Sequence, residues 1–230
     1  MDIRLLLVRT AQAVRRDGFS RTLRAAISNF TSSQEKDLFD FAHGTDTSGT
    51  IPLWKLSIDS KNAKFGWRYE TSDPLELQWC VRSIPVNPQD YSFIDIGCGK
   101  GTPPITAKEL GFRKLVGVEF SAQLAEHAKL NLTKVGATNA EILHADAAEF
   151  AFPENERLVV YFFNPFSAEI MKRVLDNLRR SRPTTAFIIY NNARCAELLD
   201  ATGFLGRLCS VSGTRFPTVI WSVQKNEVVY

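Results

Sequence analysis

"FIDIGCGKGTPPITAKELG", Phe93–Gly111, joins a short apolar run to an acid, three alternating glycines and a proline pair. Phe93 to Ile96 suit a strand buried on both faces. Gly97, Gly99 and Gly101 let the chain turn tightly at the strand's end and let a ligand come close to the backbone. Pro103 and Pro104 then open a helix, whose first N–H groups lack partners within it. Strand, glycine turn and helix in this order begin a βαβ unit, so the same alternation is expected downstream.

It continues. Apolar runs at Ser92–Ile96, Lys114–Glu119, Ala140–His144, Leu158–Phe163 and Thr185–Tyr190 predict five strands,. Between them helices are predicted at Pro104–Leu110, Ala122–Val135 and Ala168–Arg180, with another at Arg194–Thr202. Ser121 and Ser167 fit as N-caps, and Gly111 as a C-terminal stop. Arg207–Ser212 and Thr218–Val223 sit too close together for a crossover and predict a hairpin,. The expected fold is α/β: a doubly wound, mostly parallel seven-stranded sheet over residues 89–230. Residues 1–88 form a helical N-terminal extension and substrate-side cap, including a helix at Pro74–Ile84 capped by Asp73 and a short one near Lys36–Phe41,.

The composition of the 230 residues, 44% hydrophobic and 23% charged, is that of an ordinary soluble protein able to bury a core without staples,. Cys80, Cys98, Cys195 and Cys209 show no C-x-x-C pairing, and His43, His127 and His144 no i, i+4 spacing, so neither a disulfide framework nor a metal site is expected,. Residues 1–30 hold six arginines against two aspartates, a surplus of +4; the total of +3 leaves the remaining chain at −1. In that arm Ile3, Leu6, Leu7, Ala11 and Val14 recur at helical spacing up to Gly18,. An amphipathic helix packed on the body is expected, its basic face also suiting a membrane surface, a partner or nucleic acid. Asp2 and Asp17 weigh against an import leader. The arm's longest apolar run, Leu5–Val8, is far short of the ~18 residues of a membrane span, and the expected location is cytoplasmic,.

Three ligands compete for the glycine turn. A P-loop needs Lys followed by Ser or Thr, but Lys100 precedes Gly101,. A dinucleotide fingerprint counted from Gly97 and Gly99 finds Thr102 at its third glycine,. Asp95, just ahead of the turn, would repel a pyrophosphate and attract a cation. S-adenosylmethionine, with an ammonium and a sulfonium, meets that condition. Glu119, 24 positions after Asp95 at the end of the second strand, can accept both ribose hydroxyls, and Asp146, after the third, the adenine amino group,.

With these residues the segment Ser92–Val223 resembles the class I S-adenosylmethionine-dependent methyltransferases, whose Rossmann-like sheet carries a late antiparallel strand. "FAHGTDTSG" and "RYETSDP" upstream resemble a bacterial subgroup of unknown substrate. The resemblance implies a cofactor set of Asp95, Gly97, Cys98, Gly99, Gly101, Glu119, Phe120, Asp146, Ala147 and Asn164. Lys100 is expected to point into solvent.

The fourth strand ends in "NPFS", Asn164–Ser167. This is similar to the Asp/Asn/Ser-Pro-Pro-aromatic motif of methyltransferases acting on planar amino groups, but one proline is missing. Asn164, the backbone of Pro165 and the ring of Phe166 are therefore the expected catalytic group, orienting a nitrogen nucleophile. His43, Asp46, Tyr69 and Glu70 are candidates for the acceptor side. The expected activity is methylation of a nitrogen on a small molecule or protein side chain, favoured over nucleic acid by the body's near-neutral charge. A nucleic-acid amino methyltransferase gripping phosphate with its basic arm, and a cofactor-binding interaction protein without turnover, are the alternatives.

Overall fold

The computed structural model describes residues 37–56, 69–163 and 166–223, apart from the side chain of Leu53. The basic arm, Asn164 and Pro165 lie outside the described residues. Residues 37–43 are helical (α1). A two-stranded ladder pairs β1 (Thr50–Ile51) with β2 (Tyr69–Glu70), and α2 (Pro74–Arg82) follows. Asp73 caps α2, its carboxylate accepting from the amides of Leu75 and Glu76.

Then comes the expected alternation: β3 (Ser92–Ile96), α3 (Thr102–Glu109), β4 (Lys114–Glu119), α4 (Ala122–Lys134), β5 (Ala140–His144), β6 (Arg157–Phe163), α5 (Ala168–Arg180), β7 (Thr185–Asn191), α6 (Ala196–Asp200), β8 (Leu205–Val211) and β9 (Thr218–Val223). These strands make a seven-stranded sheet in the order β5-β4-β3-β6-β7-β9-β8. β9, inserted between β7 and β8, runs antiparallel to both, and the other pairings are parallel.

Strand parity separates two cores. Ile94, Ile96, Leu158, Val160 and Phe162 face the side covered by α5, whose Ile170, Met171, Val174, Leu175 and Leu178 form an apolar stripe,. Phe93, Val159 and Tyr161 face the side where α2 lays Leu77, Cys80 and Val81. The chain leaves β3 toward β4 on one side, while β6 pairs with β3 on the other. Where these paths diverge, a crevice opens at the carboxyl ends of the strands,.

Two local expectations are corrected. α3 begins at Thr102, earlier than expected, because prolines in a first turn forgo only N–H groups that the helix could not use; its N-cap is Gly101 at φ 96°,. Ser121 caps α4 through its side chain, but Ser167 does not cap α5: its hydroxyl is buried and accepts from no amide. The four cysteines are free thiols. Among the described residues no helix is long and apolar enough to cross a membrane.

Candidate active site

The crevice is a cleft with about 550 Å³ of space continuous with solvent. Its wall includes Gly97, Cys98 and Gly99 of the turn, Glu119 at the end of β4 with Phe120 after it, and Tyr69 and Glu70 of β2. Each glycine does different work. Gly99 has φ 55° and lies under the Tyr69 ring, which a Cβ there would overlap,. Gly101 does not line the cleft; its φ of 96° is a left-handed conformation that side chains rarely adopt, and a Cβ there would only touch Ala128 of α4 at ordinary contact distance,.

Two buried acids sit behind the turn. Glu119, 3% exposed, accepts from the amides of Gly99 and Ser121, each at 2.9 Å. Burial pushes its carboxyl up to about 7, against the opposing pull of the amides of Ser121, Gly99 and Phe120,. Asp95, 1% exposed, has Oδ2 without a hydrogen-bond partner in the protein. Burial, and then the neighbouring Glu119, hold its carboxyl well above the usual carboxylate range. Asp95 lies behind the cleft wall and not on it, and an orphaned buried carboxylate oxygen is costly unless a ligand or water answers it. The ammonium of S-adenosylmethionine would do so, and Glu119 keeps lone pairs for ribose hydroxyls beyond those facing the two amides. The residues present therefore fit this cofactor.

Other expected members lie elsewhere. Asp146 caps the short 3-10 helix Ala147–Glu149, accepting from Ala148 N at 2.9 Å, and neither it nor Ala147 lines the cleft. Phe166 is core, not wall: it is 7% exposed and packs edge-on to Phe162 with centroids 6.3 Å apart. The aromatic of this segment that reaches the cleft is Phe163, whose ring lies 5.8 Å from that of Phe216. Strand parity could have found it, since Phe163 shares the face of Val159 and Tyr161. His43 does not reach the cleft either. Its Nε2 bonds Glu109 at the last turn of α3, and its Nδ1 the carbonyl of Phe39, each at 2.7 Å. Leu56, Ser72, Thr102, Pro103 and Leu124 complete the lining, without a distinguishing motif in the sequence.

Lys100 reverses its expectation. Only 7% exposed, it donates to Asp46 Oδ1 at 2.8 Å and to the Ser48 carbonyl at 3.1 Å. Asp46 is thus committed to the turn and not to an acceptor. Glu70 remains on the cleft wall, with Arg215 of the β8–β9 connection 3.4 Å away.

Residues 93–182 match a family model described as a methyltransferase domain. Among solved structures, the chain is similar to a ribosomal protein L11 methylase from Lactobacillus delbrueckii subsp. bulgaricus, at 15% identity and TM-score 0.50 over 65% of this chain and 77% of that one. It is also similar to a putative methylase from Haemophilus influenzae, at 15% identity and TM-score 0.52 over 66% of this chain and 98% of that one. A third likeness is to a putative S-adenosylmethionine-dependent methyltransferase from Methanococcus maripaludis, at 14% identity and TM-score 0.52 over 68% of this chain and 87% of that one. At such identities the likenesses speak to the fold.

Proposed function

We propose that the chain, whose residues 93–182 match a methyltransferase domain, is an S-adenosylmethionine-dependent methyltransferase whose methyl acceptor is a nitrogen on a small molecule or a protein side chain. The observation that carries this reading is the sign of the cleft. Its charged lining residues are Glu70 and Glu119, with no Lys or Arg among the described residues that form the wall. Phosphates of a nucleic acid would be repelled there, whereas an amine is drawn in.

Bound S-adenosylmethionine supplies an electrophilic methyl group. The protein's share is placement. The glycine turn, fastened by Glu119, sets one wall, and the rings of Tyr69 and Phe163 add apolar surface to the lining. Glu70, which lines the cleft with Arg215 beside it, would accept a hydrogen bond from an amine and take up the proton that the nitrogen sheds on methylation,. The Asn164 side chain and the Pro165 carbonyl complete the proposal as acceptors that aim the nitrogen's lone pair.

The test is incubation with methyl-labelled cofactor and fractionated cell extract. Label that withstands nuclease and travels with protein or small molecules is expected. Label released by nuclease would overturn the assignment in favour of nucleic acid. An Asn164→Ala variant run in parallel is expected to lower labelling at least tenfold, and unchanged labelling would remove Asn164 from the site.

A further inference from the structure

We infer that Lys100 is a positioning residue: it clamps residues 45–48 onto the glycine turn, holds the Tyr69 ring over Gly99 and thereby sets how tightly the cleft grips its cofactor. The inference rests on the cofactor assignment but not on the identity of the acceptor.

The clamp is continuous. Lys100 Nζ reaches Asp46 and the Ser48 carbonyl, and lies 5.9 Å over the Tyr69 ring. From the other side Asn131 of α4 donates to the carbonyls of Lys100 and Asp46, each at 3.0 Å, and accepts from the Asp46 amide at 3.1 Å. The strap is also closed on itself. The Asp40 carboxylate accepts from Thr45 Oγ1, from the amide and hydroxyl of Thr47, and from the Ser48 amide, all between 2.7 and 2.9 Å. The Thr47 carbonyl in turn accepts the hydroxyls of Tyr69 and Thr71. Lys100 therefore acts on the cleft through Tyr69, without lining it.

Placing a lysine here has a cost that mere packing would not demand. Burying an ammonium is unfavourable unless it is fully paired, and an apolar side chain could fill the same space. What the ion pair adds is a directional tie between chain segments 54 positions apart, made at the turn itself. Its outer end is open to water, since the Asp46 side chain is 63% exposed. The clamp should therefore respond to salt.

Titration calorimetry with S-adenosylhomocysteine tests this on the full chain. Lys100→Met should weaken binding by about tenfold or more, Asp46→Asn by a similar factor, and the double variant by no more than the worse single one, as for two ends of one link. Lys100→Arg should restore most of the affinity. Raising salt should weaken binding by the unaltered chain and leave Lys100→Met flat. Should Lys100→Met fail to fold, Asp46→Asn at the exposed end carries the test. Binding by Asp46→Asn and Lys100→Met as tight as by the unaltered chain would overturn the positioning role. An unaltered chain that takes up no S-adenosylhomocysteine would overturn the cofactor assignment, and this role with it.

Discussion

The main-chain amide of Gly99 donates to Glu119 Oε2 at 2.9 Å, so one carboxylate fastens the middle of the glycine turn to the end of the neighbouring strand. Its other oxygen takes the amide of Ser121. Glu119→Ala would leave both buried amides unanswered, at about 1–3 kcal/mol each. A loss of about 2–4 kcal/mol in urea denaturation is expected, with cofactor affinity falling alongside. A loss under about 0.5 kcal/mol would mean that the turn holds its shape unaided.

The same residue predicts a pH dependence. Its carboxyl stands at about 7 in the folded chain, raised from an ordinary value of 4.5. A raised acid favours the protonated folded state, so its contribution to stability is fully present below 4.5 and is lost as pH rises through about 7,. Asp95, also raised, acts in the same direction. Ribose hydroxyls seek the ionised carboxylate, so cofactor affinity should run the other way and climb toward pH 8. Thermal unfolding and calorimetry across this range should show the two opposed trends, and Glu119→Gln should flatten the affinity trend and leave only the share of Asp95 in the stability trend.

Gly99→Ala meets two obstacles. The residue has φ 55°, a left-handed conformation costing about 1 kcal/mol or more for a side chain, and its new methyl would collide with the Tyr69 ring,. Destabilisation and loss of cofactor binding are expected. Adding Tyr69→Ala should relieve the collision but not the backbone cost, so the double variant should be less destabilised than the sum of the singles. Strict additivity in chemical denaturation would count against this packing.

Phe163 and Phe166 should separate cleanly. Phe166→Ala empties a core position and should cost about 3–5 kcal/mol of stability, while the folded fraction keeps its KM,. Phe163→Ala should be milder in stability and raise KM, because its ring lines the cleft. The reverse pattern would return the role of cleft wall to Phe166.

Much of the fold was legible because parallel strands buried on both faces leave uninterrupted apolar runs, as in β3, β4 and β6, and the short β8–β9 connection admits only a hairpin. The glycine turn and the acids Asp95 and Glu119 were legible for a related reason: each stands at or beside the end of a strand. Contacts made across long sequence separations were not. Lys100 finds its partner 54 residues upstream, and His43 finds Glu109 66 residues downstream, so neither pairing has a local pattern. Asp146 shows a local bond that the reading of the sequence had not assigned: standing just ahead of a helical turn, it accepts from the backbone amide of Ala148,. Phe166 was misplaced because Pro165 hid which face of the sheet follows Phe163.

The central claim is that buried acids at the strand ends receive a cationic nucleoside and not a phosphate. Calorimetry of the full chain with S-adenosylmethionine, beside NADH and ATP, tests it most directly. Saturable heat at one site for S-adenosylmethionine and none for the phosphates is the expected result. Tight binding of NADH or ATP with no heat from S-adenosylmethionine would contradict it.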